Sequence, residues 1–175
     1  IEPVQGEGGV RDVGTAFLRA LRALCDQHGI LLGFDEVQCG IGRTGKLFAH
    51  EWAGTTPDVM AIAKGIGVGF PLGAVMTTAA VGSAMQPGSH GSTYGGNPLA
   101  CAVGHAVLQE VESDGFLTQV QEHAVYFRQH LARLLDEYSD IFEDVRGRGL
   151  MVGMKCKIAN SDIVAALRDE KLLTV

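Results

Sequence analysis

Short apolar runs alternate with amphipathic segments over the first two thirds of the chain. Residues 30–34 and 59–63 are continuous apolar runs of strand length, and residues 72–77 form a third. Residues 15–28 repeat apolar side chains at helical spacing, which predicts a helix that ends at Gly29. Strands that are apolar on both faces and alternate with helices indicate a parallel sheet covered on both sides. The pattern therefore predicts an α/β fold with a mostly parallel sheet and flanking helices.

Capping residues suggest where several helices begin. Thr15 is placed to cap the first helix, and Asp162 to cap a last helix over residues 163–171. Asn97 and Pro98 open a long helix that runs to about residue 112, because Asn is a good cap and Pro suits the first helical position.

The pattern changes after residue 112. A second long helix follows, and its apolar stripe, which includes Phe127 and Leu131, is predicted to be core. Residues 141–157 indicate two strands joined by a glycine-rich turn. The sequence therefore predicts two domains: residues 1–112 belong to a large domain, and residues 113–175 to a smaller α+β C-terminal domain.

Composition fits a globular protein and narrows the choice of partners. The chain has 175 residues, 46% of them hydrophobic and 19% charged, with a formal charge of -6. This charge argues against nucleic acid or an anionic membrane as a partner. The four cysteines form no closely spaced pair, so no disulfide framework or metal site is predicted and a cytoplasmic location is the default.

Two neighbouring strand ends carry an acid and a lysine. Asp35 follows the first apolar run, and Lys64 follows the second. Either alone is most simply a solvated surface residue. However, ligands bind outside the carboxyl ends of parallel strands, and residues 87–97 add a loop rich in glycine and hydroxyl groups that can hold a phosphate. A lysine amine condenses with aldehydes, and an acid can keep a pyridine nitrogen protonated, so the set suits pyridoxal phosphate.

Other reactive side chains have simpler interpretations. His50 and His90 are interpreted as surface or loop histidines, and Cys39 as a packed thiol. Arg43 and Arg146 are expected to tie loops together through carboxylates rather than to bind substrate.

Several motifs, in order along the chain, carry a resemblance to a known family. They are Glu2-Pro-Val-Gln-Gly-Glu-Gly-Gly, Phe34-Asp-Glu-Val-Gln-Cys-Gly-Ile-Gly-Arg-Thr-Gly, Ala63-Lys-Gly, Gly69-Phe-Pro-Leu-Gly, Gly88-Ser-His-Gly-Ser-Thr-Tyr-Gly-Gly-Asn-Pro and Arg146-Gly-Arg-Gly-Leu-Met. With these motifs the chain resembles the class III pyridoxal-phosphate-dependent aminotransferases, and among them the acetylornithine aminotransferases. The resemblance implies part of the fold type I of pyridoxal-phosphate enzymes.

The resemblance assigns roles at the cofactor. Lys64 is similar to the catalytic lysine that binds the cofactor aldehyde and moves the substrate proton, and Asp35 to the partner of the pyridine nitrogen. Val37 is similar to the residue against one face of the ring, and Gln38 to the residue near the phenolic oxygen. Glu36, between them, is counted with the cofactor-binding residues.

Further roles concern the subunit interface and the substrate. Thr93 resembles the threonine that reaches the cofactor phosphate of the neighbouring subunit, and Ser92 beside it is expected to bind substrate. Glu7 and Glu2 are similar to residues on the substrate side.

The implied activity is transfer of the terminal amine of N-acetylornithine to 2-oxoglutarate in arginine biosynthesis, by a homodimer. The alternatives are another ω-amine donor (ornithine, succinylornithine, succinyl-diaminopimelate or 4-aminobutyrate), aminomutase chemistry, or a non-catalytic module. The glycine–serine phosphate loop and the carboxylate-binding arginines of the family are not among these residues. We therefore interpret the chain as part of a longer protein, and expect it to be inactive on its own.

Overall fold

The computed structural model describes residues 1–175 and contains seven strands and five α-helices. The strands are β1 (Val4–Gln5), β2 (Arg11–Asp12), β3 (Gly33–Asp35), β4 (Val59–Ile62), β5 (Ala74–Thr77), β6 (Phe142–Arg148) and β7 (Met151–Cys156). The helices are α1 (Thr15–His28), α2 (Ala79–Gly82), α3 (Pro98–Val111), α4 (Phe116–Glu137) and α5 (Asn160–Asp169). Two 3-10 turns lie at Ala49–Ala53 and Lys64–Gly67. No helix is both long enough and apolar enough to cross a membrane.

The central sheet has the strand order β3-β4-β5 and is mixed. Strands β3 and β4 are parallel, with Asp35 opposite Ala61, whereas β5 runs antiparallel to β4. The expectation of mostly parallel pairing therefore holds for only one of the two strand pairs. The reason is the short link between Ile62 and Ala74, because a parallel crossover needs a dozen or more residues and usually a helix.

The helix ends match the sequence pattern only in part. Gly29 follows α1 in the left-handed conformation, as predicted, and the Asn97 side chain caps α3 by accepting a hydrogen bond from Ala100 N at 2.9 Å. The prediction that Thr15 caps α1 was wrong. Thr15 is the first helical residue, and the residue before it, Gly14, has no side chain that could form a capping hydrogen bond. The Asp162 cap was also wrong, because α5 already begins at Asn160.

Two apolar clusters pack helices against the strands of the central sheet. One packs α1 against β3 through Leu18, Cys25 and Phe34. The other joins β4 to α3 through Met60, Ile62 and Val111. Both clusters hold the β3–β4 pair in place, and this fixes the carboxyl ends of the two strands relative to each other.

The C-terminal part is less buried than predicted. No residue of α4 is buried, and Phe127 is 43% exposed, so the core assignment of the Phe127–Leu131 stripe was wrong for this chain. Helix α4 packs one side against β6, and β6 pairs with β7 through a turn at residues 149–150. Because the hairpin is only two strands wide, it cannot cover the whole apolar face of a helix of this length.

The hairpin turn is locked to the loop that follows β3. Leu150 N donates to Arg43 O at 3.0 Å. Gly149 has φ +61°, and a Cβ there would lie 2.4 Å from Thr44 Cα, so only glycine allows this approach. Arg148 Nε also donates to Asp12 Oδ2 at 2.6 Å. The C-terminal hairpin therefore supports the loop that follows β3.

Candidate active site

Asp35 is the last residue of β3, and its carboxylate is exposed at the end of the strand. Its Oδ1 accepts a hydrogen bond from Val37 N at 3.0 Å, which closes a tight turn. Glu36 N donates to Ala61 O at 2.9 Å and so extends the ladder to β4 by one step. The turn leaves Oδ2 of Asp35 free to accept a bond from a ligand.

Lys64 follows β4 by two residues and stands at the same edge of the sheet. Its φ is +49°, a left-handed value that is costly for any residue except glycine. The side chain is exposed, and its amine takes part in none of the ion pairs of the structure. Strain of this kind persists where the surroundings impose it, and it is concentrated at functional sites.

Lys64 lines two adjoining clefts, with volumes of about 590 and 520 Å³. The larger cleft also contains Glu7, Gln38 and Arg43, and its far wall is formed by β7. The structure therefore brings Lys64, Gln38 and Glu7 together, as the sequence predicts for one site. Arg43 lines both clefts and is in no ion pair, so the expectation that it ties loops through a carboxylate was wrong.

The Gln38 side chain is held over the loop that follows β1. A Cβ at Gly6 would lie 2.3 Å from Gln38 Oε1, so the missing side chain at Gly6 provides the space for the amide. Glu2 closes the same loop by accepting a hydrogen bond from Gly6 N at 2.9 Å. Glu2 thus shapes the wall of the cleft, while Glu7 faces the cleft itself.

Glu36 points away from the clefts, and its side chain is 0% exposed. Its carboxylate accepts hydrogen bonds from Ala49 N and His50 N, both at 2.9 Å, and from His50 Nδ1 at 3.0 Å. A carboxylate oxygen can only accept, so the imidazole carries its proton on Nδ1. Direct contact between this carboxylate and a cofactor is excluded in this structure, which corrects the prediction for Glu36.

His50 and Cys39 are parts of the same buried group. His50 is 8% exposed and packs against Phe34 and Phe48, so the interpretation of His50 as a surface histidine was wrong. Cys39 is a packed thiol, as expected. Burial, followed by the nearby Glu36 carboxylate, raises the pKa of the Cys39 thiol and keeps it unreactive.

Ser92 and Thr93 lie in an exposed loop and line neither of the clefts that contain Lys64. Arg146 pairs with Asp144 at 2.9 Å and lowers the pKa of that carboxyl. Arg146 therefore binds a carboxylate, as expected, but it does so within β6 and does not tie loops together. Within one chain, the structure therefore brings Lys64 and Gln38 into one cleft. Asp35 and Val37 stand at the neighbouring strand end and line neither cleft, and the predicted phosphate threonine also lies outside.

Comparison with known proteins identifies the family. The sequence profile of class-III aminotransferases matches residues 1–175. The chain belongs to the class-III aminotransferase family. Members of this family depend on pyridoxal phosphate, and the chain has part of the fold type I that they share.

Individual relatives match the whole chain but are longer. The chain is 61% identical over 175 residues to an acetylornithine aminotransferase of Mesorhizobium japonicum and covers 44% of that protein. The structure resembles N-acetylornithine aminotransferase from Stenotrophomonas maltophilia, with a TM-score of 0.86 at 38% identity, over 99% of this chain and 46% of that one. It also resembles the ornithine aminotransferase of Toxoplasma gondii, with a TM-score of 0.92 at 35% identity, over 100% and 42% of the two chains. That enzyme was crystallised with partial occupancy of pyridoxal phosphate at its active site.

The residues of the chain fit this cofactor on three observations. An amine without an ion-pair partner stands beside a cleft, and a carboxylate with a free oxygen stands at the end of the neighbouring strand. Gly6 lacks the side chain that would displace the Gln38 amide from the cleft wall.

Proposed function

We propose that the chain contains the cofactor-binding lysine of an acetylornithine aminotransferase. The observation that carries the proposal is the placement of Lys64, a strained residue with a free amine, at the same sheet edge as Asp35. The strain is compatible with this role, since the residue that carries it lines both clefts.

The chain's own residues divide the chemistry among them. Pyridoxal phosphate, when bound, supplies an electron sink. Lys64 Nζ would hold the cofactor through its aldehyde group, and the same amine would move the proton of the substrate carbon. Asp35 would pair with the pyridine nitrogen and keep it protonated, Val37 would lie against the ring, and Gln38 would lie near the phenolic oxygen.

The proposed reaction moves the terminal amine of N-acetylornithine to 2-oxoglutarate and yields a semialdehyde and glutamate. The identity of 61% to an acetylornithine aminotransferase supports this donor. Ornithine is the second candidate, because the fold also resembles that of an ornithine aminotransferase, with a TM-score of 0.92.

A substrate panel on the whole protein separates these donors. We expect the highest kcat/KM for N-acetylornithine, measured as glutamate formed from 2-oxoglutarate. Ornithine, succinylornithine, succinyl-diaminopimelate and 4-aminobutyrate serve as the matched competitors. A higher kcat/KM for any of these four would reassign the donor, and no transamination of any of them would contradict the proposal as a whole.

The domain division is also a proposal. Residues 1–112 would form part of the large cofactor-binding domain, and residues 113–175 part of the small domain. Support comes from the central sheet and its two clusters, most of whose members precede residue 112, and from the separate packing of α4 on β6. Limited proteolysis of the whole protein should then cut preferentially near residues 112–115.

We further propose that the whole protein acts in the cytoplasm as a homodimer. The exposed position of Thr93, outside the clefts of its own chain, supports a role at the cofactor phosphate of the neighbouring subunit. For the same reason we expect the 175-residue chain alone to bind pyridoxal phosphate weakly and to be inactive. Sedimentation of the whole protein tests the dimer, and absorbance of the lysine-bound cofactor tests the isolated chain.

A further inference from the structure

Glu36 is the most enclosed charged side chain of the molecule, and it lies directly between residues assigned to the cofactor. Four donors surround its carboxylate: Ala49 N, His50 N, His50 Nδ1 and the Cys39 thiol, whose sulfur is 3.3 Å from Oε2. All four come from the segment that follows Glu36 in the chain. The carboxylate therefore connects Cys39, near the start of that segment, with Ala49 and His50 further along it.

The main chain of Glu36 is fixed as firmly as its side chain. Its N–H donates to Ala61 O in β4, the strand that leads to Lys64, and its carbonyl accepts from Gly40 N, both at 2.9 Å. A Cβ at Gly40 would lie 2.6 Å from that carbonyl oxygen, so the turn closes only with glycine at this position. The turn that contains Asp35 and Gln38 is thus fixed at Glu36 by hydrogen bonds on both sides of its main chain.

The 3-10 turn that donates to the Glu36 carboxylate is also held in place. Ala49 and His50 begin the 3-10 turn Ala49–Ala53, and their N–H groups lack partners within that turn. The His50 ring packs 5.6 Å from the ring of Phe34, the neighbour of Asp35 in β3. Glu36 consequently joins the end of β3, the cleft-lining turn and the 3-10 turn at one point.

We propose that Glu36 is a positioning residue for the cofactor site and acts through Asp35 and Gln38. The inference rests on the proposed function, because it presumes that Asp35 and Gln38 contact the cofactor. Glu36 itself touches neither cofactor nor substrate. It keeps the free oxygen of Asp35 and the amide of Gln38 at fixed positions, so that binding the ring does not require the turn to reorganise.

A double-mutant cycle in the whole enzyme tests the proposal. Glu36→Gln keeps the shape but replaces one acceptor oxygen by an NH₂ group, which then faces an N–H donor of Ala49 or His50. We expect kcat and the affinity for pyridoxal phosphate to fall roughly 10- to 100-fold, with KM for the amino donor unchanged. In an Asp35→Asn background the same change should lower kcat by less than about 3-fold, because the group that Glu36 positions has already lost its function.

The cofactor-free enzyme supplies a readout that does not depend on activity. Amide hydrogen exchange at Val37, Ala49 and His50 should accelerate in Glu36→Gln, since these amides depend on the turn or on the carboxylate itself. The matched control is Asp58→Asn, which removes another paired carboxylate of the β3–β4 pair at the far end of the strands. It should leave kcat and the exchange of these three amides unchanged.

The possible outcomes are distinguishable. An equal loss of kcat from Glu36→Gln on both backgrounds, or the same loss from Asp58→Asn, would show a purely structural role and overturn the inference. Should Glu36→Gln fail to fold, His50→Phe removes one donor and keeps the ring packing. We expect His50→Phe to lower kcat several-fold in the wild-type background and to leave kcat unchanged in the Asp35→Asn background. Lys64→Ala reports on the function separately: retained turnover refutes the proposed function, whereas an inactive Lys64→Ala with an additive cycle refutes only the role of Glu36.

Discussion

An acid and a base stand at each end of the β3–β4 pair. They are paired with each other at one end and unpaired at the other. At the amino-terminal end, Asp58 Oδ2 accepts hydrogen bonds from Leu32 N and Arg22 Nη1, both at 2.7 Å, and Arg22 pairs further with Asp26. At the carboxyl end, Asp35 accepts one local hydrogen bond and the Lys64 amine is in no ion pair. The same strands thus place paired charges at one end and free charges at the other.

The pKa shifts of Asp58 and Arg22 show that these two charges stabilise each other. The Leu32 N–H, followed by the Arg22 guanidinium, lowers the pKa of Asp58, and Asp58 in turn raises the pKa of Arg22. The carboxyl end instead holds a left-handed lysine, which costs stability. The paired end stabilises the strand pair, and this stability allows the other end to keep its reactive groups unpaired and strained.

The largest expected effect lies at the free end. Lys64→Ala in the whole protein should lower kcat by roughly 1,000-fold or more, because it removes both the cofactor-binding amine and the proton-transfer group. The melting temperature of the cofactor-free protein should hardly change, as the amine is in no ion pair. Steady-state kinetics and thermal unfolding measure the two quantities, and a large drop in melting temperature would contradict the division between the two ends.

The opposite result is expected at the paired end. Asp58→Asn should reduce the free energy of unfolding by about 1–3 kcal/mol, because Arg22 loses the more buried of its two charged partners. The value of kcat should be unchanged when assayed well below the melting temperature. Asp26→Asn is the matched control: it removes the more exposed partner of Arg22 and should cost under about 1 kcal/mol.

Acid should act on the paired end in a defined direction. The pKa of Asp58 in the folded protein is below its ordinary value of 3.8, so its contribution to stability is complete above that value and is lost as the pH falls through the folded pKa. Denaturant unfolding of the wild type between pH 5 and pH 2 should therefore show a decline that is shallower in Asp58→Asn. Parallel curves for the two proteins would mean that Asp58 has no part in acid sensitivity.

The smallest effect concerns the strain itself. Lys64→Gly should be more stable than Lys64→Ala by about 1 kcal/mol, because only glycine adopts a φ near +49° without penalty. Both variants lack the amine, so the comparison isolates the backbone. Equal melting temperatures in the cofactor-free protein would show that the left-handed turn relaxes without cost.

Local signals made much of the fold predictable. Gly29, Asn97 and Pro98 act within one turn of a helix, so their effect is visible in the sequence alone. The direction of β5 and the exposure of Phe127 depend on how long a connection is and on what covers a surface, and neither follows from periodicity.

The motifs alone are enough to predict which residues carry the chemistry of the site: Lys64 and Asp35 at strand ends, with Gln38 in a motif between them. The fold then shows that Lys64 and Gln38 line one cleft, that Thr93 lies outside it, and that Glu36 is buried. A residue's chemistry follows from its side chain, and the sequence therefore reveals it. Its partners are fixed by long-range contacts, such as that from Glu36 to His50 across 14 positions, and a local pattern does not encode them.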